Sequence, residues 1–179
     1  MNNVILIGYM GCGKTTVGKH LARMSNSTFV DTDEEIEKEQ QTTISDIFAA
    51  QGENAFRIME TKYLQDLLQS KAESIVLSTG GGMAIREENQ KLLKKVGTTF
   101  YLKAKAETIY ERVKGDTRRP LLQCENPLQK INEMLNQREP AYEQAAQYVI
   151  EVDGMKQSEV AKKIYDIMNG GANHEVIGN

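Results

Sequence analysis

Residues 8–16 read Gly8-Tyr9-Met10-Gly11-Cys12-Gly13-Lys14-Thr15-Thr16, set between the apolar run Val4–Ile7 and a helical pattern over residues 14–24. These residue types suit a nucleotide polyphosphate. The glycines let the backbone approach closely with positive φ. Consecutive N–H groups of Gly11, Cys12, Gly13, Lys14, Thr15 and Thr16 can then converge on phosphate oxygens at the positive end of the following helix. Lys14 supplies a mobile charge for the β and γ phosphates, and the Thr15 hydroxyl can ligate a bridging Mg²⁺. The strand before and the helix after are the context this pattern requires.

Three further groups could carry chemistry. Asp31-Thr32-Asp33 closes a short β-branched run. If the chain is still extended there, both carboxylates share a side: Asp31 could hold Mg²⁺ through water while Asp33 meets a substrate hydroxyl. The lesser reading is that Asp33 caps the helix beginning at Glu34, which does not exclude a role in chemistry. Ser78-Thr79-Gly80-Gly81-Gly82 is richer in glycine than a turn needs, which suits a ligand lying against the main chain, although turn chemistry alone remains open. Arg57 stands three residues before Glu60 on an expected helix, a spacing that can fix its fork for bidentate capture of a carboxylate or can be a surface ion pair. Arg138 carries the same ambiguity.

The elements that must position these groups alternate along the chain. Short strands are expected at 28–30, 74–77, 98–102 and 148–152 besides the first, with helical spacing between them. This is an α/β pattern with right-handed crossovers and a parallel sheet covered on both faces. The stretch Gly115-Asp116-Thr117-Arg118-Arg119-Pro120 lacks helical period and reads as a surface loop, a mobile cover or an ordinary connection, between helices ending near Val113 and starting near Asn126.

A chain of 179 residues with net charge −3 fits one domain, expected over 1–169 with a frayed tail over 170–179, and argues against a nucleic-acid groove. Two cysteines, Cys12 and Cys124, and two histidines, His20 and His174, make neither a disulfide framework nor a metal knuckle. A reduced cytoplasmic protein is expected, with no membrane partner, because no apolar run approaches the roughly 20 residues of a bilayer span and no leader pattern opens the chain. A monomer is expected as well. Cys12 is either a compact apolar filler or a thiol whose modification blocks ATP.

In this order the pieces resemble shikimate kinase, over nearly the whole chain to about residue 168. The matching motifs are the loop Gly8-x-x-Gly11-x-Gly13-Lys14-Thr15-Thr16, Asp31-Thr32-Asp33, Gly52-Glu53-x-x-Phe56-Arg57-x-x-Glu60, Gly80-Gly81-Gly82, Arg119-Pro120-Leu121-Leu122 and Arg138-x-Pro140-x-Tyr142. The resemblance implies transfer of the ATP γ-phosphoryl group to the 3-hydroxyl of shikimate, on the way to aromatic amino acids, with Mg²⁺. It implies Asp33 on the acceptor hydroxyl, Arg57 and Arg138 on the carboxylate, and Gly80, Gly81 and Gly82 against the ring. Lys14 and Arg119 would gather the transferring phosphate, Arg119 on a lid over about 113–125. Arg112 would stack on adenine, with the segment 153–158, and Lys156 in it, on the other side of the base. The implied fold is a three-layer P-loop NTPase of the nucleoside monophosphate kinase type, with a five-stranded parallel sheet in order 2-3-1-4-5. Rival readings are a gluconate or nucleotide kinase of the same fold and a nucleotide-dependent regulatory module without turnover.

Overall fold

The computed structural model describes residues 2–115 and 124–170. Arg118, Arg119, most of the expected lid and nearly all of the expected tail lie outside the described residues. Five strands, β1 (Val4–Ile7), β2 (Thr28–Asp31), β3 (Ile75–Ser78), β4 (Thr98–Lys103) and β5 (Tyr148–Glu151), form one parallel sheet in the order β2-β3-β1-β4-β5. The order matches the expected one. β1 is central and every one of its residues is 0% exposed, as a strand covered on both faces must be.

Helices α1 (Lys14–Ser25), α2 (Thr32–Gln40), α3 (Ile44–Ser70), α4 (Glu87–Val96), α5 (Ala106–Val113) and α6 (Pro127–Ala145) lie in the crossovers, and α7 (Gln157–Met168) follows β5. α1 packs on α7, while α4 and α6 pack on each other and on β4. Local sequence explains their ends. Asn126 accepts a hydrogen bond from Gln129 N (3.1 Å) and is followed by Pro127, whose missing N–H costs nothing in the first turn of α6. Pro140 falls inside α6. The third strand starts one residue later than expected because Ser74 has φ 57°, outside strand geometry.

α3 is broken at Gly52, whose φ of 80° and ψ of 166° are non-helical. Ile36, Ile47 and Phe56 form a small core of their own at this end of the molecule, whereas Leu64, further along α3, belongs to the main core with β1, β3 and β4. One helix thus bridges two packing units.

Candidate active site

The loop after β1 bends through three glycines at positive φ, Gly8 (139°), Gly11 (76°) and Gly13 (106°). α1 then begins at Lys14 with no side-chain cap and no acidic residue in its first turn. Its opening N–H groups and the positive end of its dipole are therefore left for an anion. Lys14 is 7% exposed, and its Nζ donates to the carbonyls of Gly8 (2.8 Å) and Tyr9 (3.1 Å). Cys12 is buried beneath the same loop, with Sγ 3.8 Å from Lys14 Nζ, where it acts as packing.

Sheet register brings hard oxygen donors to the mouth of this loop. Asp31 is opposite Ser78 across the β2–β3 ladder, and Thr15 reaches both: its Oγ1 donates to Asp31 Oδ2 at 3.1 Å and lies 3.5 Å from Ser78 Oγ. A carboxylate and two hydroxyls, with few protein ligands overall, fit a Mg²⁺ ion that keeps waters and binds substrate phosphates. Asp31, not Asp33, caps α2: its Oδ1 accepts from Asp33 N at 3.1 Å, and the helix starts at Thr32. The chain is helical at Asp33 rather than extended. Both carboxylates still line one cleft, because Asp31 ends the strand and Asp33 sits in the first turn that follows.

The glycine turn after β3 explains its composition by contact. A Cβ on Gly80 would stand 2.5 Å from Asp33 Oδ1 and 3.1 Å from Glu60 Oε1, and one on Gly82 would collide with the Arg57 guanidinium. The carboxylates and the guanidinium thus lie directly against backbone. Gly80 N donates to Thr32 Oγ1 (3.0 Å) and the Tyr142 hydroxyl donates to Gly81 O (2.6 Å), so α2 and α6 hold the turn from two sides. The Arg138 guanidinium lies 5.6 Å from the Tyr9 ring centroid, and its charge acts on the Tyr142 phenol.

Arg57 donates through Nη1 to Glu60 Oε2 (2.7 Å) and through Nη2 (2.7 Å) and Nε (3.2 Å) to Glu53 Oε1. Glu60 is fully buried. Burial, only partly offset by Arg57, pushes its carboxyl up to about 7. Burial also raises Asp33, to about 6, with Asp31 adding to the rise and Lys14 and Arg57 opposing it. Among the described residues, Asp33 Oδ1 and Glu60 Oε1 have no hydrogen-bond partner. Buried acceptors of that kind are costly unless a ligand donor meets them.

A cleft of about 410 Å³ runs past Lys14, Thr15, Asp31, Asp33, Gly80 and Arg112. Arg57, Gly82 and Arg138 do not line it: the Arg57 guanidinium lies against Gly82, one residue past the lining Gly81, and Arg138 stands behind Tyr9 and Tyr142, the latter bonded to Gly81 O. Arg112 Nη1 donates to Cys12 O at 3.0 Å, clasping the phosphate loop. Lys156 is exposed at the N-cap of α7 and does not line the cleft, whereas its neighbour Gln157 does. Gln157 falls within the expected segment 153–158, where the choice of Lys156 is corrected by helical phase, and Ser78 stands in the expected Ser78–Gly82 group but carries no expected metal role, since its place beside Asp31 depends on strand register. Tyr142 was visible as part of a motif but had no assigned contact.

The family profile described as Shikimate kinase matches residues 10–169. A shikimate kinase of Thermodesulfovibrio yellowstonii is 45% identical over 174 residues, 96% of this chain and 99% of that protein. One from Acinetobacter baumannii (strain AYE) is 42% identical over 93% of this chain and 91% of its own length. Among solved structures, shikimate kinase from Acinetobacter baumannii in complex with shikimate superposes with a TM-score of 0.88 at 39% identity, covering 97% of this chain and 96% of that one. The Aquifex aeolicus shikimate kinase gives 0.81 at 35% identity over 95% and 99%. With the profile spanning most of the sequence and full-length relatives well above 30% identity, the chain belongs to the shikimate kinase family.

Proposed function

We infer that this protein phosphorylates shikimate at its 3-hydroxyl with ATP, giving shikimate 3-phosphate and ADP. One observation carries the reading beyond membership of a family. A single carboxylate, Asp33, lines the same cleft as the phosphate-loop lysine and lies against Gly80 beside Glu60, the partner of the arginine suited to an acceptor carboxylate, so donor and acceptor sites would meet at one group.

Phosphoryl transfer through a loose transition state asks mainly for alignment and charge neutralisation. The loop amides and Lys14 hold the polyphosphate, and Arg119 is proposed as a second cation on the transferring group. Thr15, Asp31 and Ser78 would hold Mg²⁺, which when bound neutralises phosphate charge. Arg57 and Arg138 grip the shikimate carboxylate, and Gly80 and Gly82, by lacking a Cβ, leave room for Asp33 and Arg57 to reach it, with Gly81 between them. That leaves Asp33 Oδ1, a buried acceptor without a partner, to take the hydrogen bond of the 3-hydroxyl and receive its proton late in the transfer. Arg112 and Gln157 flank the nucleotide end. Residues 1–169 act as one domain, and the protein works as a monomer, which size-exclusion chromatography checks.

Coupled assay of ADP release with shikimate, gluconate and a nucleoside monophosphate as acceptors tests the reading. Shikimate is expected to give the highest kcat/KM by at least about a hundredfold. Equal turnover of gluconate, or none of shikimate, would overturn it.

A further inference from the structure

Arg57 is held by two carboxylates of very different standing. The Glu60 side chain is 0% exposed, whereas that of Glu53 is 64% exposed, one turn away on the same helix. Glu53 occupies the Nε/Nη2 edge of the guanidinium, the edge whose two parallel N–H groups match a carboxylate in the bidentate manner. It does so poorly, because its one oxygen, Oε1, accepts both bonds. An untethered carboxylate could place one oxygen on each N–H.

We propose that Glu53 is a placeholder for the carboxylate of the acceptor: it keeps the Arg57 fork aligned over Gly82 and is displaced into water when shikimate binds. The proposal rests on the shikimate reading. Geometry requires one partner to leave, since Glu53 already takes the Nε and Nη2 donors of Arg57 and Glu60 takes Nη1. A further anion on one cation adds repulsion. Glu60 is the wrong one to expel, because a buried carboxylate stripped of its cation is strongly penalised. Glu53 is the easier one to release, because its side chain is 64% exposed and is rehydrated where it stands, whereas that of Arg57 is 16% exposed. Glu53 therefore competes with substrate, and Glu60 does not.

The test is steady-state ADP release at saturating ATP with the parent, Glu53→Gln and Glu53→Asp, using shikimate and its methyl ester. Glu53→Gln is expected to lower KM for shikimate by about two- to fivefold with kcat within about twofold of the parent. Glu53→Asp, too short to reach Arg57 fully, should lie between, and KM for the neutral ester should not fall. An unchanged or raised KM for shikimate in Glu53→Gln would show that Glu53 stays in place as a buttress and would overturn the proposal, leaving the assigned function untouched. A parent that does not turn over shikimate would defeat both.

Discussion

Acidifying the medium should switch the enzyme off through Asp33. Its carboxyl is raised to about 6, mainly because burial disfavours the charge. Only the ionised form can receive the hydroxyl proton. At pH 7 about nine-tenths of the sites are competent and at pH 5 about one-tenth, so kcat/KM for shikimate should fall about tenfold across that interval. An aspartate at its ordinary value would lose less than about a tenth of its ionised population over the same range. Glu60, raised to about 7 beside it, steepens the fall, because protonation weakens its hold on Arg57; the two steps then belong to the pair. The assay is coupled or direct ADP release at saturating ATP between pH 5 and pH 8. The γ-phosphate of ATP titrates in this window too, and Asp33→Asn separates the two. That variant should keep shikimate affinity within a few-fold, lose at least about a hundredfold in kcat, and show a residual rate without the Asp33 limb. A flat parental profile from pH 7 to pH 5, or near-parental turnover in Asp33→Asn, would refute the assignment.

Gly82→Ala places a methyl group where the Arg57 guanidinium lies, so KM for shikimate should rise by at least about tenfold while KM for ATP changes less than about twofold, read in the same assay. Glu60 has a folded-state pKa above its unfolded value, so its contribution to stability is complete below about 4.5 and is lost as pH rises through about 7, an effect of at most about 3 kcal/mol. The stability advantage of the parent over Glu60→Gln in urea titrations should accordingly shrink between pH 5 and pH 8, and a constant or widening gap contradicts the burial argument. Native-state hydrogen exchange should show amides around Ile36, Ile47 and Phe56 opening at lower free energy than those of β1, because their core is small and separate. Equal protection would deny the division.

The phosphate loop was legible because everything it needs is contiguous: a fully apolar strand, three glycines at positive φ and a helix that starts on Lys14. Alternation along the chain reached only an α/β sheet. The strand order came from the resemblance, since periodicity constrains neighbours in sequence and not neighbours in space. Ser78 became visible only once Asp31 was paired with it across the ladder. The cap of α2 was misplaced by two residues because Asp31 and Asp33 are equally good capping residues by type, and only backbone geometry chooses between them. Glu53 stood in the Gly52-Glu53-x-x-Phe56-Arg57-x-x-Glu60 motif with no role attached to it. Its interest lies in which edge of Arg57 it covers, a matter of three dimensions.

The break at Gly52 falls within the reach of the small cluster, not at its edge. A Cβ there would meet nothing within 4 Å, so the glycine is demanded by backbone direction alone, and it redirects α3 between Ile47 and Phe56, which pack in the same cluster, before Leu64 joins the main core. On the proposed reading, only Asp33 and Arg57 of the acceptor residues stand on the stretches of α2 and α3 that carry this cluster, next to Ile36 and Phe56, while the phosphate loop and the glycine turn go with the main core. Under that reading, substitutions at Ile36, Ile47 or Phe56 would reach the acceptor through the seating of Asp33 and Arg57 and leave the packing beneath the phosphate loop as it is.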